Sequence, residues 1–334
     1  MKAAVCAAGV IRVREWPEPV AGPGELLLRV RGCGLCGSDI VKVDPGLTTP
    51  VVLGHEVVGQ VAAVGAGVTR FVPGDRLVVA HHVPCFACHY CRRGSPSMCR
   101  AFKQINLDPG GFAELVRVPA PNLEHAAFLL PADMTDETAS FTEPLACCRR
   151  AVKRSRVNAD DVALVVGLGS IGCLMAQLLR LQGARVLAWD VLPARRALGR
   201  TIGVEAPADE AALDEVLREA TQGRGVDCVM ITAGGAGVLP GAAVRVRDGG
   251  TLHFFAGGGG DGLPLPLGTL YHRELTVTST YSSSPAELAE AFDLLARGRL
   301  SVAGLISHRL PLERLGEGVE LMRRHEAVKV YVTA

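Results

Sequence analysis

The stretch Val162-Ala163-Leu164-Val165-Val166-Gly167-Leu168-Gly169-Ser170-Ile171-Gly172 decides how this chain folds. Five consecutive apolar residues, Val162 to Val166, suit a parallel strand buried on both faces. Three glycines follow directly in a G-x-G-x-x-G spacing. Ile171, Leu174, Met175, Leu178 and Leu179 then recur at helical period. A second apolar run, Arg185 to Trp189, ends at Asp190. The glycine pattern alone is a weak signal. Strand, glycines, helix, second strand and terminal acid in this order are a strong one.

Such glycines permit a tight turn and let a pyrophosphate approach the helix N-terminus. The expected nucleotide contacts are Gly167, Gly169, Ser170, Ile171 and Gly172, with Asp190 accepting hydrogen bonds from the adenosine ribose. A carboxylate there repels a 2′-phosphate, so NAD is favoured over NADP. Arg195 and Arg196 follow Pro193, and a nearby Arg can accommodate that phosphate. Arg195 is therefore counted among the cofactor contacts.

Downstream the alternation continues. A helix over Ala211 to Ala220 leads to a strand over Val226 to Thr232. A helix over Val238 to Val246 leads to a strand over Thr251 to Ala256, and Leu275 to Thr280 closes the series. This pattern predicts an α/β doubly wound parallel sheet. The run Gly257 to Gly260 is either a flexible loop or backbone approaching the cofactor. Ser284-Pro285-Ala286-Glu287 reads as a capping box. It opens a helix with Leu288, Ala291, Phe292 and Leu295 as its buried stripe and Gly298 as its end. A helix through Leu312, Leu315, Val319 and Met322 and a strand over Lys329 to Val332 carry no further repeat of this kind. They are expected to return to the first domain.

Upstream, from Met1 to about Phe141, short Val/Leu/Ala runs such as Glu25 to Val30 and Val57 to Val64 are broken by Gly, Pro and Asp. Pro73-Gly74-Asp75 and Asp108-Pro109-Gly110-Gly111 are turn signals. A compact, mostly-β domain filled by Val, Leu and Ala is expected. The first residues read as a strand rather than a signal peptide. The resulting boundaries are residues 1–145, 146–283 and 284–334.

Of 334 residues, Lys plus Arg number 35 and Asp plus Glu 34, a formal charge of +1. Nothing in that balance steers the chain to nucleic acid or an anionic membrane. No apolar run reaches the roughly 18 residues of a transmembrane helix. The eleven cysteines are an odd number, part clustered and part scattered, which is no disulfide framework. A reducing, cytoplasmic setting with metal-bound thiolates fits them better.

Cys85, Cys88, Cys91 and Cys99, interleaved with Pro84, Gly94 and Pro96, suit a loop folded around a tetrahedral ion. Four sulfurs fill a zinc shell and leave no open position, so that metal is structural. His81, His82 and His89 nearby are read as surface or supporting groups. Elsewhere, His55 and Glu56 follow the apolar run Val51 to Leu53. By themselves they are a metal site or two surface residues. Cys36 lies between Gly34 and Gly37, where a flexible turn can aim a thiolate. Cys33 and Cys36 also form a C-x-x-C, without the thioredoxin-like context a redox pair requires. Glu143, before Pro144, is a ligand or a carboxylate stabilising a helix N-terminus.

Together these residues carry a resemblance. Gly54 to Val68 matches G-H-E-x2-G-x5-G-x2-V, the zinc signature of medium-chain alcohol and polyol dehydrogenases. Glu143-Pro144-Leu145-Ala146 is similar to the sorbitol and threonine dehydrogenase branch. The likeness covers nearly the whole chain. It implies a Rossmann domain plus a mostly-β GroES-like catalytic domain. It implies a catalytic zinc held by Cys36, His55 and Glu143, with Glu56 close enough to exchange as a ligand, and a structural zinc on the four-cysteine lobe. Ser38 matches the hydroxyl that relays the substrate proton. Asp39 matches the carboxylate that orients the histidine, and Lys329 resembles a basic residue near the cofactor pyrophosphate.

The implied activity is reversible oxidation of a secondary alcohol to a ketone with hydride transfer to NAD. Two departures stand out. Val41, then Lys42, occupies the place where many relatives finish the relay with a histidine. The segment Ile40 to Pro50 is shorter than in most polyol dehydrogenases. Other readings are a dehydrogenase of an amino-alcohol or cyclitol, or a non-catalytic NAD- and zinc-binding protein of the same fold. Small-molecule alcohols are the expected partners. A homodimer or homotetramer is expected through the strand Leu275 to Thr280.

Overall fold

The computed structural model describes residues 1–255 and 264–334. The run Gly257 to Gly260 therefore lies outside the described residues. Contacts divide the chain into two compact units, Met1–Ala146 with Ser283–Ala334, and Cys147–Ser282.

The first unit is built on the strand Leu26–Leu35, whose burial changes along its length. Leu26, Leu28 and Val30 point into the core while Arg29 and Arg31 face out, the alternation of a half-buried strand. From Gly32 to Leu35 every residue is buried. The strand pairs antiparallel with Glu56–Val64, with Leu115–Val118 and with Val330–Thr333. Glu56–Val64 pairs in turn with Arg76–Ala80, and that with Ala127–Leu129. His308–Pro311 adds a parallel edge beside Val330–Thr333. A small second sheet joins Val10–Glu15, Lys2–Ala7 and Val51–Val52. Its hairpin turns at Ala8 and Gly9, with φ of 47° and 74°. Two strands thus stand where the sequence predicts one. Val57, Val61, Leu77, Val79, Val116 and Val330 fill the space between the layers, and Phe71 and Phe112 supply most of its aromatic bulk.

In the second unit five parallel strands lie in the order Arg185–Trp189, Val162–Val166, Val226–Ile231, Val246–Phe254 and Thr276–Ser279. The chain leaves Val162–Val166 for one side of the sheet and returns to lay Val226–Ile231 on the other. That reversal opens a crevice at the carboxyl ends of these two strands, where open α/β sheets bind ligands. The helix Ser170–Leu181 buries Leu174, Met175, Leu178 and Leu179, as its period predicts. Leu164, Leu187, Val229, Ile231 and Leu252 are fully buried in the sheet. Burial of each such side chain is worth about 1.5–3 kcal/mol.

Three sequence expectations need correction. The strand predicted over Thr251 to Ala256 begins at Val246, because Val246 pairs with Val226 despite the turn-like Asp248-Gly249-Gly250 that follows. Cys36 does not sit in a flexible turn. It follows a strand and caps the helix Gly37–Lys42. At the helix Pro285–Ala296, the Ser284 hydroxyl bonds the Glu287 carboxylate rather than a backbone N–H.

Candidate metal centres and nucleotide site

Cys36, His55 and Glu56 present ligand atoms that lie within 4.8 Å of one another. Two adjacent strands bring them together. Gly34 pairs with Glu56, so the residues just past each strand end, Cys36 and His55, face a common space. Asp39 fixes both. One carboxylate oxygen accepts from the Cys36 backbone N–H at 3.1 Å; the other lies 3.2 Å from His55 Nδ1 and accepts from Gly54 N–H at 3.3 Å. With Nδ1 committed to Asp39, Nε2 is left for a metal, the usual arrangement of a ligating histidine. Burial disfavours the charged imidazole, yet Asp39 and the Cys36 thiol outweigh it and hold His55 well above its usual value. Burial likewise opposes the Asp39 carboxylate, and His55 reverses that shift.

Sulfur, nitrogen and oxygen donors at this spacing fit a zinc ion. Glu143 is not one of the clustered three; it is buried in the first turn of the helix Thr142–Ser155. Glu56 already has a partner, since Lys329 donates to its Oε1 at 2.6 Å and lies 2.5 Å from Oε2. Lys329 is thus buried against a carboxylate. Ser38 is exposed at the start of the short helix, and Val41 is 68% exposed near its end.

Of the two readings for the histidines upstream of the cysteine loop, surface or support, the half-buried His81 and His82 take the second. The His81 ring lies 4.6 Å from that of His55, His82 lies 3.7 Å from His81, and Phe102 lies 4.8 Å from His82. His82 Nδ1 sits 2.9 Å from the Ile105 carbonyl. His81 Nδ1 is buried with no hydrogen-bond partner among the described residues. Burial first, then His55 and His82, keep His81 neutral. Only its place in sequence, next to the end of the strand Arg76–Ala80 that pairs with Glu56–Val64, could have signalled this. His89 is exposed, as expected.

Cys85, Cys88, Cys91 and Cys99 form the other cluster, again within 4.8 Å. The Cys88 and Cys91 sulfurs are 3.5 Å apart, and the Cys85 N–H points to Cys99 Sγ at 3.4 Å. The thiols cannot all ionise together. Burial and then the neighbouring sulfurs push Cys91 up to about 12. Cys99 drops to about 6, as backbone N–H groups of Cys85 and Phe102 overcome its burial. A divalent cation relieves that conflict, and this donor set fits a closed, tetrahedral zinc site.

In the second unit the three glycines divide their work. Gly167 turns the chain at φ 99°, and a Cβ there would meet Ala233 at 2.6 Å. A Cβ on Gly172 would fall 1.8 Å from the Gly167 carbonyl, so helix and strand pack through it. Gly169 has open space above it, where a pyrophosphate would lie. Ser170 and Ile171 open the helix. The Asp190 carboxylate accepts from Leu168 N–H at 2.7 Å and from Leu192 N–H at 2.9 Å, so it faces the glycine turn. Arg196 donates to the Asp190 and Val191 carbonyls and covers the Trp189 ring. Arg195 is 8% exposed; burial pulls its guanidinium down while Asp190 opposes that shift.

Residues 22–127 match the alcohol dehydrogenase GroES-like domain, and residues 170–297 match the zinc-binding dehydrogenase family. A sorbitol dehydrogenase of Halalkalibacterium halodurans is 29% identical over 97% of this chain and 96% of its own. An L-threonine 3-dehydrogenase of a Chelativorans species is 30% identical over 94% and 92%. A solved structure from Sinorhizobium meliloti, described as a zinc-binding dehydrogenase bound to NADP, is 31% identical. It superposes with a TM-score of 0.88 over 100% of this chain and 99% of that one.

Proposed function

This chain belongs to the zinc-binding dehydrogenase family, and we propose that it oxidises a secondary alcohol, a polyol, diol or related hydroxy compound, reversibly to a ketone. The observation that carries this reading is the Cys36 thiol and the His55 imidazole brought within 4.8 Å of each other, with the imidazole turned by Asp39. Cys36, His55 and Glu143 would hold the zinc, which when bound supplies a Lewis acid for the substrate hydroxyl. Ser38 receives the hydroxyl proton. With exposed Val41 and Lys42 following it, the proton leaves by water, by the cofactor ribose or by the Lys42 amine.

Gly167, Gly169, Ser170, Ile171 and Gly172 cradle the dinucleotide that takes the hydride, and Asp190 favours NAD by repelling a 2′-phosphate. The exposed strand Thr276–Ser279 ends its sheet and can pair with its copy across a two-fold axis, giving a homodimer or homotetramer. A monomer by light scattering would remove that part. No helix among the described residues is long and apolar enough to cross a membrane. The thiol-rich composition suits the cytoplasm.

The test is reduction of NAD and of NADP with polyols, vicinal diols, 3-hydroxy amino acids and cyclitols, alongside zinc content. Two zincs per chain with turnover on one class, faster with NAD, is the expected result. One zinc and no turnover on any class would leave a non-catalytic binding protein.

A further inference from the structure

Ser38 and Lys42 stand four residues apart on the helix Gly37–Lys42, and both are exposed. Side chains at that spacing share one helix face, with Cβ atoms roughly 5–6 Å apart. The face that offers the Ser38 hydroxyl to a substrate therefore also carries an ammonium. Its charge is felt at Asp39, which holds His55, and at His81 and His82. All of these belong to the first unit, around the trio Cys36, His55 and Glu56.

An exposed lysine is usually solvated or paired with a surface carboxylate. Lys42 makes no hydrogen bond or ion pair among the described residues. Asp44, two positions on, turns its carboxylate to the Gly46 N–H at 2.6 Å. Asp39 is committed to His55 and to the backbone N–H groups of Cys36 and Gly54. The imidazoles of His81 and His82 bring no charge of their own, since burial above all keeps them neutral. The Lys42 charge is thus left uncompensated beside the place where the substrate hydroxyl would lie.

We infer that Lys42 selects a substrate that carries an oxyanion, a carboxylate or a phosphate monoester, on a carbon beyond the one that is oxidised. This rests on the proposed dehydrogenase reading and names the substrate class within it. A neutral hydroxyl gives an ammonium little that water does not, whereas a charge-assisted hydrogen bond to an oxyanion is roughly twice as strong as a neutral one. Such a group is bound alike before and during hydride transfer, so its effect falls on KM more than on kcat.

The experiment measures kcat/KM of the zinc-loaded full chain on matched substrates of one carbon skeleton: an alditol, its aldonate and its phosphate monoester. The quantity read is the ratio of each anionic substrate to the neutral one, in the wild type, Lys42→Met, Lys42→Arg and Lys42→Glu. Any share of Lys42 in proton exit lowers both substrates alike and cancels in that ratio. The wild type is expected to favour an oxyanion by about tenfold or more, and Lys42→Met to bring the ratio to about one, chiefly through KM. Lys42→Arg should keep most of the preference and Lys42→Glu should reverse it. Added salt should shrink the wild-type ratio and leave that of Lys42→Met unmoved. The larger of the two ratios tells carboxylate from phosphate. A wild-type ratio of about one for both anions, or a preference that survives in Lys42→Met, would overturn the inference. No turnover of these or other secondary alcohols with either NAD or NADP would instead remove the dehydrogenase reading itself, a failure distinct from the other two.

Discussion

In the loop from Cys85 to Cys99 all four donors come from one short segment, and only Cys99 is buried. In the trio, Cys36 follows one strand and Glu56 opens its neighbour, and Asp39 and Lys329 complete their surroundings. The loop has little packing to hold its thiols together, so a metal must supply much of its order. The trio has the reverse economy. Its donors are placed by a sheet whose core folds for its own reasons, and the site inherits that precision. The loop therefore depends on its ion for structure, whereas the trio depends on the fold for the geometry it offers an ion.

The largest effect that tests this contrast is on turnover. Cys36→Ala or His55→Ala should lower kcat/KM by about 10³-fold or more, since a bound Lewis acid is worth several kcal/mol. The variant should stay folded by near-ultraviolet circular dichroism and keep one zinc per chain. Loss of both zincs would mean the two centres are not independent.

Next in size is Cys99→Ser, which removes the loop's one buried sulfur. It should release the loop's zinc and raise proteolytic cleavage between Cys85 and Cys99 by about tenfold, as expected where local opening governs cleavage. Zinc at the trio should remain. An uncut loop without zinc would show that packing, not metal, orders it.

Gly34→Ala acts on the trio alone. The clash with Glu56 and Lys329 should cost about 1–3 kcal/mol, the usual range for overpacking, read as a lower denaturation midpoint. The zinc content of the four-thiol loop should not change.

The smallest effect is electrostatic. The helix Asp136–Ser140 packs behind the strand that leads to Cys36, and Asp136 accepts hydrogen bonds from Arg31 and Arg76. Burial raises its carboxyl, but the two arginines more than compensate and leave it below the usual aspartate value. A depressed folded value means the stabilisation is fully present above the unfolded value and is lost as pH falls through the folded one. Asp136→Asn should therefore cost roughly 1 kcal/mol at neutral pH. Denaturation curves of the two proteins should converge as the pH drops below that of an ordinary carboxylate.

The same contrast explains what could be read from the sequence. Val162 to Val166, the glycines after it and the helix Ser170–Leu181 were legible, because period and spacing are local properties. The four-cysteine loop was legible for the same reason. The Glu56–Lys329 pair was not, since 273 residues separate its members and neither segment announces the other. His81 could not be assigned between surface and support, because the ring it meets, His55, reaches it only through strand pairing. The turn at Ala8 hid the first hairpin, as alanine seldom marks a positive φ. By contrast, the short helix Asp136–Ser140 carried a readable signal in Thr135, which accepts from the Thr138 N–H.

The distance along the chain between Glu56 and Lys329 also has a consequence for synthesis. A ribosome adding about 5–20 residues per second completes Glu56 on the order of ten to fifty seconds before Lys329. A growing chain thus owns its thiol, imidazole and carboxylate well before the ammonium that will occupy that carboxylate. Until then, water, a proton or an incoming cation must satisfy Glu56. Of the groups around Cys36 and His55, the lysine is the last to be made.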